Sequence, residues 1–95
     1  MSAKLQLSPQ EITKNALQKE GVPNLYMNGF ISGAGLGDAY LIIQTNGKTT
    51  AVVNMSLSTL KTLAGNLMAT TQKVEEKLGQ EIPTLQELQE QFSKE

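Results

Sequence analysis

The sequence predicts an α+β domain: a small antiparallel sheet of about three strands packed against one long amphipathic helix, with short N- and C-terminal helices. Three observations predict it. Asn46-Gly47 sits between the apolar runs AYLIIQT and KTTAVVNM, and an Asn-Gly pair in that setting marks a two-residue β-hairpin. Leu57, Leu60, Ala64, Leu67, Thr71, Val74 and Leu78 step by three and four without a break, a helical seam of coiled-coil type. The length of 95 residues fits one domain, 1–95, with no room for a second.

Residues 1–7 alternate only weakly and read as a loose arm. Ser8, Pro9 and Glu11 then combine an N-cap serine, proline at the first helical position and a capping-box glutamate. The helix they open runs to about Glu20, where Gly21 and Pro23 end it. Leu25 to Ser32, rich in aromatic and branched types, reads as a strand. The glycine-rich run from Gly33 to Asp38 reads as a loop before the hairpin.

A two-residue turn at Asn46-Gly47 sets Ile43 opposite Thr50, Leu41 opposite Val52 and Tyr40 opposite Val53. Leu41, Ile43 and Val52 then share one face, while Tyr40, Ile42, Ala51 and Val53 share the other. A sheet with one wet face alternates apolar and polar residues; this hairpin is apolar on both faces and needs two covers.

Ser56 is placed to cap the long helix, with Met55 and Leu60 spaced for a hydrophobic staple. Leu63 and Met68 widen the stripe, Gly79 supplies the stop, and Lys77 sits where a cation complements the helix dipole. About 22 residues of helix run about 33 Å, whereas strands of six or seven residues span roughly 20–24 Å. The helix therefore overhangs its own sheet, and its C-terminal half needs a further partner. Thr84 and Glu87 form a second capping box, opening a short terminal helix over 84–95 with Leu85, Leu88 and Phe92 on one side.

Composition narrows function mainly through what is missing. Cysteine, histidine, tryptophan and arginine are all absent. No disulfide or thiolate metal site can form, the commonest general base and metal ligand is missing, and bidentate phosphate recognition by arginine is missing. Eight lysines are scattered among nine carboxylates, which gives no nucleic-acid footprint. No run approaches the roughly 20 apolar residues that span a bilayer, so the expectation is a cytoplasmic protein without membrane or nucleic-acid partners.

Four sets of residues invite chemistry. Gly33, Gly35, Gly37 and Asp38 could cradle an anion, since glycines let backbone amides approach closely. Their spacing is G-x-G-x-G, and a strand follows where a dinucleotide fold needs a helix N-terminus. Asp38, Tyr26 and Tyr40 flank this loop as the one cluster placed for ligand contact, with strand packing as the plainer explanation. Glu75, Glu76, Lys73 and Lys77 fall on the polar side of the long helix and read as a solvated face, and Ser56, Ser58 and Thr59 read as helix N-terminal residues rather than nucleophiles. No catalytic, metal or cofactor residue is assigned.

From the hairpin through the long helix, the chain resembles a bacterial family known as domain-of-unknown-function family 3467. The likeness spans about Leu25 to Pro83 and rests on Met55-Ser56 leading into a helix with Lys61 and spaced leucines, then Glu75 or Glu76, Gly79 and Ile82. The resemblance implies fold and self-association, and no activity. The first helix, the glycine run and the terminal helix lie outside it.

The expectation is a non-enzymatic protein-interaction or structural module, a homodimer or larger. Its interface residues are Leu41, Ile43 and Val52 on the hairpin and Leu67, Val74 and Leu78 on the helix. The alternative is a small-ligand or anion-binding domain using Gly33 to Asp38.

Overall fold

Reciprocal capping opens the described part of the chain: in the computed structural model Ser8 N–H donates to Glu11 Oε1 (3.0 Å) and Glu11 N–H to Ser8 Oγ (3.1 Å). The structure describes residues 8–18 and 21–93; the expected arm at 1–7 lies outside them. Helix α1 covers Pro9–Gln18. The expected end near Glu20 also falls outside the described residues, and Gly21 follows at φ 93°.

Three strands form one antiparallel sheet in the order β1-β2-β3, with β1 Gly29–Ala34, β2 Asp38–Thr45 and β3 Lys48–Ser56. The turn between β2 and β3 is the expected two-residue one. Asn46 (φ 52°) and Gly47 (φ 82°) are both left-handed, the type I′ geometry whose twist matches the strands it joins. Thr50 Oγ1 donates to the Ile43 carbonyl at 3.2 Å, in keeping with Ile43 facing Thr50.

The first strand differs from expectation. It covers Gly29–Ala34 rather than Leu25–Ser32, so it starts later and runs into the glycine-rich segment. Pairing, not propensity, sets its limits. A Cβ on Gly29 would lie 3.5 Å from the Gln44 side chain, and one on Gly33 would overlap the Tyr40 ring. Each strand thus advances four residues between the two contacts, which fixes one register. Asn28, just before β1, bonds the turn residue Asn46 through its side chain.

Ser56 caps α2, Leu57–Leu78, as expected: its Oγ accepts from Thr59 N–H at 3.0 Å. Gly79 closes the helix at φ 74°, its N–H donating to the Glu75 carbonyl at 2.9 Å. Thr84 and Glu87 cap α3, Leu85–Ser93, with Thr84 N–H donating to Glu87 Oε1 (2.7 Å) and Glu87 N–H to Thr84 Oγ1 (3.1 Å).

The chain divides into two units. One takes the described residues up to Ser32 together with Leu41–Val53; the other takes Gly33–Tyr40 and the residues from Asn54 onward. Among the described residues Ala39, at 1% exposure, is the one buried hydrophobic side chain. None of the three helices contains a buried residue.

Candidate interaction surfaces

In the first unit the apolar residues of the hairpin are in place but largely uncovered. Leu41 and Ile43 on the central strand are half-buried, and Val52 on β3 is exposed. Successive strand residues point to opposite faces. Val52 and Val53 are successive, and they are 53% and 41% exposed. Both faces of β3 therefore meet solvent at this point.

The N-terminal side of this unit is tied to the hairpin by a polar clasp that sequence reasoning missed. Asn28 Oδ1 accepts from Asn46 N–H, and Asn28 Nδ2 donates to Asn46 Oδ1, both at 2.8 Å. Asn28 N–H also donates to the Gln44 carbonyl at 3.1 Å, and Thr45 Oγ1 donates to the Tyr26 carbonyl. One asparagine so satisfies both the backbone and the side chain of the residue that turns the chain. The signal, two Asn-Gly pairs at Asn28-Gly29 and Asn46-Gly47, is present in the sequence, but nothing local says that they meet.

In the second unit, α2 presents its seam with little over it. Leu60 and Leu63 are half-buried, whereas Leu57, Leu67, Val74 and Leu78 are exposed, Leu67 by 56%. Thr71, the one polar residue in the seam, turns its hydroxyl back to the Leu67 carbonyl at 2.9 Å. That bond satisfies the hydroxyl within the helix, which leaves the methyl as the group offered outward.

Glu75 corrects the reading of a solvated charged face. It is half-buried, and its Oε2 accepts from Ile82 N–H at 2.8 Å while its own carbonyl receives Gly79 N–H. The Glu75, Gly79 and Ile82 spacing thus has a physical content: a carboxylate reaches across a left-handed glycine to hold the amide of the segment leaving the helix. This task belongs to Glu75; Glu76 is exposed.

The glycine run does not form one loop. Gly33 and Ala34 lie in β1 and Asp38 opens β2, so Gly35, Leu36 and Gly37 alone make the connection. Gly35 N–H donates to the Asp38 carbonyl at 2.8 Å, which commits one of the amides that an anion would use. Tyr40 lies over Gly33. Tyr26 belongs to the first unit, whereas Asp38 and Tyr40 belong to the second.

Among the described residues no group of three or more acidic side chains is placed to hold a metal ion, and no helix is long and apolar enough to cross a membrane. Two surface depressions are each lined by a single helix, one by Ser58, Thr59, Thr62, Leu63 and Asn66 of α2 and one by α1. Ser58 and Thr59 there belong to the first turn of α2, where Thr59 N–H is spent on Ser56.

Comparison with known proteins finds no matching family model, no matching curated protein and no matching solved structure.

Proposed function

We propose that this chain is a non-enzymatic interaction module whose principal partner is a second copy of itself. The observation that carries the reading is the exposure of Val52 and Val53 on opposite faces of one strand. A single layer added to either side would leave the other bare. Association between copies can cover what the chain leaves open, and each fully buried Val or Leu side chain is worth about 1.5–3 kcal/mol over an exposed one.

Light scattering at micromolar concentration tests the proposal. A mass of at least twice 10.3 kDa is expected, and a stable single-chain mass overturns it.

A further inference from the structure

Resting on that reading of self-association, we infer that α2 pairs antiparallel with α2 of a second copy, in the register that sets Lys61 beside Glu75 of that copy. The seam assigns heptad positions without ambiguity. Leu57, Ala64, Thr71 and Leu78 fall at one core position and Leu60, Leu67 and Val74 at the other. Antiparallel helices stack one kind of core position on the other. A register with its two-fold axis level with Ala69 stacks Leu60 on Leu78, Ala64 on Val74 and Leu67 on Thr71 of the second copy. Each layer then recurs once by symmetry, the isologous arrangement of a two-fold dimer.

The flanking charges select this register. Lys61 and Glu75 occupy the same flank, two heptads apart, and in this arrangement each Lys61 lies alongside Glu75 of the other copy, twice per dimer. Shifting the antiparallel register by one heptad puts Lys61 beside Met68 and takes Glu75 beyond the start of the partner helix. A parallel pair puts Lys61 beside Ser56 and Glu75 beside Thr70. One arrangement of the three joins opposite charges, and opposite charges at the flanks are what set orientation in paired helices.

The geometry of the single chain is prepared for it. Glu75 commits Oε2 to Ile82 N–H, which anchors the carboxylate and leaves Oε1 for a lysine. Thr71 has its hydroxyl bonded within the helix, so the layer with Leu67 meets methyl groups. Leu67, Val74 and Leu78 are exposed, with Met68 beside them.

The absence of cysteine makes single-cysteine variants of the full chain a clean test. Met68 lies one residue from the axis, so about 2 residues, or about 3 Å, separate it along the helix from its counterpart, whereas Lys77 lies about 16 residues, or about 24 Å, from its counterpart. With a short bis-maleimide linker, Met68→Cys is expected to cross-link copies efficiently and Lys77→Cys is not. Lys61→Glu replaces two attractions by two repulsions across the pair, so it is expected to weaken dimerisation about tenfold. Equal cross-linking at both positions means a parallel pair and overturns the inference. A chain that scatters as a dimer but links at neither position, or that ignores Lys61→Glu, associates by another surface; the inference then fails while self-association stands. A single-chain mass for the parent protein overturns both.

Discussion

Tyr40 lies across Gly33: a Cβ on the glycine would overlap the tyrosine hydroxyl and fall 2.5 Å from Cζ. The ring takes the place of the side chain that the glycine lacks, a pairing that offsets the weakness of glycine in a strand. Tyr40 is 38% exposed, so its ring can swing outward when displaced. Gly33→Ala is expected to cost about 1 kcal/mol in the parent chain through loss of that cover. In a Tyr40→Ala background the obstacle is gone, and the same change is expected to be neutral or mildly stabilising, because alanine restricts the unfolded chain. Chemical denaturation of the four proteins gives the coupling directly; additive effects would mean that the ring and the glycine are independent.

Asn28 holds Asn46 through two hydrogen bonds of 2.8 Å. Asn28→Ala removes both, with an expected loss of about 1 kcal/mol, given a net value of roughly 0.5–1.5 kcal/mol for one hydrogen bond and partial replacement by water. The amide of Asn46 is the specific reporter: its hydrogen exchange should accelerate in the variant. Unchanged protection at Asn46 would show that the turn stands without the clasp.

Glu75 links the end of α2 to the segment that follows through Ile82 N–H. Glu75→Ala should accelerate exchange of the Ile82 amide, while Glu75→Gln, which keeps an acceptor oxygen, should protect it nearly as well as the parent. Equal behaviour of the two variants would remove the hydrogen bond from the account.

What was legible in the sequence was local. Ser8 and Glu11, Thr84 and Glu87, and Ser56 and Thr59 lie within one helical turn, so each cap could be read from spacing alone. Asn46-Gly47 was equally local, because the turn type demands two residues that tolerate positive φ. The misses were contacts between distant positions. Asn28 and Asn46 are 18 residues apart, and the start of β1 follows from what β2 offers it rather than from the aromatic content of Leu25 to Asn28. Gly33 reads as a loop residue until Tyr40 is known to cover it. Glu75 reads as solvated because periodicity places it off the seam, and periodicity says nothing of an amide beyond the helix end. For the proposed interface, Leu67, Val74 and Leu78 were legible from the stripe, and the structure adds that they are exposed.

Leu67 is 56% exposed in the single chain, which decides what a charge there does. A carboxylate at a solvated position carries no burial penalty within its own copy, but at a shared apolar layer it costs several kcal/mol. Leu67→Glu is therefore expected to halve the mass by light scattering and, because folding is linked to association, to lower the midpoint of thermal unfolding. A variant that keeps the parent mass would take Leu67 out of the interface.

The central claim is that a second copy completes this fold, and the dependence of thermal unfolding on protein concentration tests it most directly. When association and folding are linked, mass action raises the midpoint as the protein is concentrated. A midpoint that climbs by several degrees between low and high micromolar concentration is predicted. A midpoint that stays fixed across that range would contradict the account, since it would show a chain that holds its structure alone.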